Sequence, residues 1–81
     1  MNFNDRRALD LLPARIAALE ARIAELNAVL SDANLYQRDP VRFREATDAL
    51  AIARDELTAA EEQWLRLEML REDIEAAEQE S

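Results

Sequence analysis

The feature that most restricts this chain is a pair of apolar stripes, each written in the three-four spacing of an α-helix. Leu9, Leu12, Ile16, Leu19, Ile23, Leu26 and Leu30 make the first; Phe43, Ala46, Leu50, Ala53, Leu57, Ala60, Trp64 and Leu67 make the second. Residues three and four apart share a helix face, so each stripe predicts a long helix with one narrow seam. In two helices folded back on each other, facing residues have numbers that add to a constant. Leu30/Ala46, Leu26/Leu50, Ile23/Ala53, Leu19/Leu57, Ile16/Ala60, Leu12/Trp64 and Leu9/Leu67 all add to 76. Two patterns read separately therefore agree on one register. The expected fold is all-α, a two-helix antiparallel coiled-coil hairpin, with Leu12, Ile16, Leu19, Ile23, Leu26, Leu30, Leu50, Leu57, Trp64 and Leu67 as its principal seam.

Composition agrees. The chain has no glycine and two prolines, which suits long helices and not strands joined by tight turns. Its 81 residues suffice for one domain with a shallow core. Helix one is expected over about 5–31, a connector over 32–39 and helix two over about 40–78. Pro13 lacks an N–H and crowds the carbonyl four residues back, which predicts a kink or a fresh helix start near Leu12. The stretch SDANLYQRDP carries the Ser, Asp, Asn and Pro of turns. Its last pair, Asp39-Pro40, is an N-cap followed by a residue preset for the first helical turn.

The predicted layers alternate in size, since leucine–leucine layers sit between layers where Leu30, Ile23 or Ile16 meets alanine. Flanking charges suit the same alignment, with Glu20 beside Arg54 and Arg22 beside Glu56, and Asp5 facing Arg71 at the open end. Beyond Leu67 the stripe shifts to Leu70, Ile74 and Ala77, and Phe3, Leu11 and Met69 add apolar surface. That end is expected to dock a neighbouring domain or a second copy, the latter through Leu70 and Ile74.

Eighteen carboxylates against ten arginines, with no lysine or histidine, leave a net charge of −8. Such a balance disfavours generic binding to phosphate backbones or anionic membranes. No apolar run is long enough to span a bilayer and the amino terminus lacks a secretion signal, so the expected location is cytoplasmic with no membrane partner. Without His or Cys, zinc sites and the common nucleophile–base pairs are unavailable; without Gly, so are phosphate-cradling loops. Neighbouring carboxylates such as Glu61-Glu62 and Asp55-Glu56 read as a solvated helix face. The chain alone is expected to be no enzyme and to hold no cofactor or metal.

The connector gathers Tyr36, Arg38, Arg42, Phe43 and Arg44, a combination of rings and guanidinium groups suited to stacking on bases and holding phosphates. Tyr36, Arg38, Arg42 and Arg44 are the candidate nucleic-acid-binding residues, although Asp32, Asp39 and Glu45 lie among them. The plainer alternative has Tyr36 and Phe43 capping the seam and the arginines merely solvated. Trp64 is expected to fill space in the seam beside Pro13.

The run LPARIAALEARIAELNAVLSDANLYQRDPVRF, followed by AEEQWLRLEMLRE, resembles the C-terminal coiled-coil domain of ABC-F class ATPases of the Uup type, over about residues 6 to 75. Its most specific features are Leu12-Pro13, Leu35-Tyr36, Asp39-Pro40, Glu62, Trp64, Leu65 and Glu68, which are not dictated by the heptad. The resemblance implies a non-catalytic tail on a soluble ATPase whose two nucleotide-binding cassettes, and hence ATP, precede it. It further implies an interaction arm that meets DNA or the ribosome and influences the ATPase. The alternative is a docking or self-association element that regulates the ATPase without touching nucleic acid.

Overall fold

A computed structural model describes residues 1–80, and all regular structure in them is helical. Three helices follow in order: α1, Phe3–Leu30; α2, Leu35–Arg38; and α3, Pro40–Glu80. The molecule is a rod of 66 × 18 × 15 Å. No described helix is long and apolar enough to cross a membrane.

α1 begins where Asn2 caps it, its Oδ1 accepting from the Asp5 N–H at 2.7 Å and satisfying one of the free donors of the first turn. The helix then runs without interruption through Pro13, so there is no fresh start near Leu12. The reason lies in where the proline sits. Pro13 is exposed, so its ring occupies no space in the seam and the missing N–H costs the helix one bond without disturbing the packing.

The buried residues fall into two clusters that say how the long helices lie. Leu12 and Leu19 of α1 pack with Ala60 and Leu67 of α3, joined by the half-buried Leu9, Ile16 and Leu57. Leu26 of α1 packs with Ala46, Leu50 and Ala53 of α3, joined by Ile23 and Leu30. The first half of α1 thus rests on the second half of α3, and the second half of α1 on the first half of α3. Alanines at 46, 53 and 60 are buried in the seam among the leucines, a pairing of small and large side chains that lets two helices approach closely. Among the described residues no polar side chain is buried.

Four expected features of the seam differ. Trp64 is not enclosed: it remains 37% exposed and lines an open groove with Pro13, Ile16, Glu61 and Leu65. Its ring thus lies at the seam edge beside Pro13. Glu56 pairs with Arg15 (2.7 Å) and not with Arg22, which turns to Glu25 on its own helix (3.8 Å). The numbers of Arg15 and Glu56 add to 71, one heptad below the 78 of the expected Arg22–Glu56 pair. On this flank the nearest partners are therefore a full repeat nearer the amino terminus of α1. No ion pair joins Glu20 to Arg54 or Asp5 to Arg71 among the described residues. Arg71 bonds Glu68 and Glu75 instead, neighbours at i−3 and i+4 that need no alignment of two helix ends.

Candidate nucleic-acid interface at the connector

The connector is not a bare turn. Asp32 orders it first: its Oδ1 accepts from the Asn34 N–H (2.9 Å), its Oδ2 from the Arg38 guanidinium (2.8 Å), and its carbonyl from the Leu35 N–H (3.1 Å). The Asn34 amide, and then Arg38, hold the Asp32 carboxyl below its usual range by stabilising the anion. These bonds wind residues 35–38 into the single turn of α2, whose Leu35 carbonyl accepts from the Asp39 N–H (2.8 Å). Leu35, at 1% exposure, is the most enclosed large side chain of the protein. A lone leucine in a polar stretch has no periodicity to reveal it.

Asp39 then starts α3. Its Oδ1 accepts from the Arg42 N–H (3.1 Å) and its carbonyl from the Phe43 N–H (3.1 Å), while Pro40 takes the first helical position. Phe43, half-buried one turn into α3, meets the Tyr36 ring edge to face, with centroids 5.3 Å apart and planes at 85°. The Phe43 carbonyl also accepts from the Thr47 hydroxyl (2.8 Å).

The four candidate residues do not form one surface. Tyr36 and Arg44 come together, lining an open cleft of about 460 Å³ with Pro40, Val41, Phe43, Thr47 and the carboxylate-bearing Asp48. Tyr36 is 63% exposed, so the ring that Phe43 steadies still offers a face to stack on. Arg38 is spent on Asp32. Arg42, two residues from Arg44 and so on another side of α3, lines a separate hollow with Arg22, Leu26 and Val29. The arrangement offers one stacking platform with one cation and one carboxylate beside it; among the described residues no group of three or more His, Cys, Asp or Glu could hold a metal.

The profile of the ABC transporter C-terminal domain matches residues 1–69, most of the chain and all of the helical packing described above. The chain belongs to the ABC transporter C-terminal domain family. It is thus an accessory domain of ABC proteins. Neither the curated proteins nor the solved structures contain a match to it.

Charge is spread unevenly along this C-terminal domain. From residue 31 to 45, Asp32, Asp39 and Glu45 are balanced by Arg38, Arg42 and Arg44. From 61 to 80, the eight carboxylates at positions 61, 62, 68, 72, 73, 75, 78 and 80 face only Arg66 and Arg71, leaving −6 of the total −8. Net charge is therefore a poor guide to the connector. The acidic end lies toward the other extreme of a 66 Å rod, several screening lengths of about 8–10 Å away.

Proposed function

We propose that this domain is the non-catalytic C-terminal arm of a soluble, cytoplasmic ABC-F type ATPase of the Uup kind, an antiparallel coiled-coil hairpin that meets nucleic acid, free or in a ribosome, at its tip. ATP and the catalytic groups belong to the cassettes of the parent protein; the arm supplies reach and a contact point. The observation that carries the reading is the Tyr36–Phe43 pair beside Arg44. A ring held edge-on by its neighbour is preorganised to stack, and base–aromatic stacking contributes about 1–3 kcal/mol per base. Repulsion from the acidic end is screened at that distance, and within the cleft Arg44 stands against the single carboxylate of Asp48.

Fluorescence anisotropy of short single-stranded DNA and RNA with the domain, across a salt series, tests the reading. Binding should weaken with salt and with Tyr36→Ala or Arg44→Ala, whereas Arg38→Ala should matter less because Asp32 already neutralises that guanidinium. A flat response at low salt sinks it.

A second reading has its own observation. Leu65, Met69 and Leu70 are exposed on α3, a face that would suit docking on the parent ATPase or on a second copy. Ile74 is less available, being half-buried where it lines a hollow with Met1 and Leu9.

A further inference from the structure

Four apolar side chains within seven residues of α3 lie outside the buried clusters: Trp64, Leu65, Met69 and Leu70, exposed by 37, 55, 56 and 38%. Single exposed hydrophobics are ordinary; at about 100° per residue, however, Trp64, Leu65 and Met69 share about 140° of α3, while Leu70 lies about 100° further round, on the other flank. Two open grooves divide the strip and share Leu65. One holds Trp64 and Leu65 beside Pro13 and Ile16, and is edged by Glu61. The other holds Leu65, Met69 and Leu70 and is edged by Glu62 and Asp73, with Arg66 as its one cation. The strip also lies in the segment that carries −6 of the net charge, and Arg71 is drawn back against Glu68 and Glu75.

We infer that the face formed by Trp64, Leu65 and Met69 is a docking site for a basic amphipathic helix of a partner protein. An apolar centre bordered by carboxylates selects an occupant with the opposite arrangement, a leucine-type face flanked by Lys or Arg. Trp64 adds a specific element, because a partner cation over the indole face gains attraction that an anion loses. Two copies of this domain would instead bring acidic borders together, and an anionic membrane would meet the same repulsion. The inference rests on the docking reading and is independent of the tip, whose residues are Tyr36 and Arg44.

Trp64 is the only tryptophan, so its emission reports occupancy of the strip directly. The 81-residue domain is titrated with a synthetic helical peptide carrying a leucine face bordered by arginines, and with a twin bordered by glutamates. The basic peptide should shift tryptophan emission to the blue and bind at least about tenfold more tightly than the acidic twin. Leu65→Glu with Met69→Glu should abolish the shift while the far-ultraviolet helical signal is kept, both side chains being exposed. Neutralising Glu61, Glu62 and Asp73 to Gln, Gln and Asn should weaken binding by about tenfold without altering the apolar strip. Tyr36→Ala and Arg44→Ala should leave the titration unchanged. Equal binding of both peptides, no effect of either set of strip variants, or a blue shift that depends on the domain's own concentration without peptide would overturn the inference.

Discussion

Arg15 of α1 reaches across to Glu56 of α3, Nη2 to Oε2 at 2.7 Å. Both side chains remain about half exposed, so solvent competes for the pair and its net contribution is about 0–1 kcal/mol. Its value is geometric, since it ties a particular turn of one helix to a particular turn of the other. Arg15→Glu should lower stability by about 0.5–1 kcal/mol in urea denaturation, and adding Glu56→Arg should restore most of the loss. Simple addition of the two single losses in the double variant would show that the pair has no coupling.

Leu19 and Ile52 are both large aliphatic residues in long helices, yet Leu19 is enclosed at the seam and Ile52 is 59% exposed. Leu19→Ala should cost about 2–5 kcal/mol by loss of transfer energy and by the cavity left behind. Ile52→Ala should stay within about 0.5 kcal/mol. Chemical denaturation of the two variants in parallel measures the contrast, and similar midpoints would refute the packing described.

Ala60 lies in the cluster of Leu12, Leu19 and Leu67, where the helices approach over its methyl group. Enlarging it to leucine should force the helices apart and cost about 1–3 kcal/mol despite the added apolar area. A variant more stable than the parent would mean that the seam contains unfilled space.

Asp32 gives a pH signature. Its folded carboxyl is held below the usual carboxylate range, chiefly by the Asn34 backbone N–H and then by Arg38. A depressed carboxylate contributes stability that is present above its unfolded pKa and is lost as pH falls through the folded pKa. The connector should therefore hold at neutral pH and loosen below about pH 4. Amide exchange at Asn34 and Leu35, followed by NMR against pH, should accelerate in that window in the parent and already be fast at neutral pH in Asp32→Asn.

That the chain is all-helical was legible in the spacing of its apolar residues, because periodicity is a local property written into every turn. What escaped the sequence depends on distances between elements. Leu35 stands alone among polar residues, so nothing in its surroundings marks it as the most enclosed side chain or the Asp32 region as the start of a helical turn. Trp64 falls on the stripe by number, yet its ring lies at the seam edge in a groove with Pro13 and Ile16, which spacing alone does not reveal. Arg71 and Arg22 had partners available on their own helices as well as across the seam, and local partners won because they require no second element to be in place. At the candidate site, Tyr36 and Arg44 come together, whereas Arg42 is turned away by the helix screw and Arg38 by a carboxylate six residues earlier.

The enclosure of Leu35 has a mechanical consequence. For α3 to slip along α1 by one repeat, the corner between them would have to give up extra length, and that length exists only by unwinding α2 and drawing its leucine into water. Telescoping is thus closed to this rod, while swinging it as a stiff whole is not. Whatever passes between its two extremities travels as rotation or tilt, in the manner of a lever with a welded elbow.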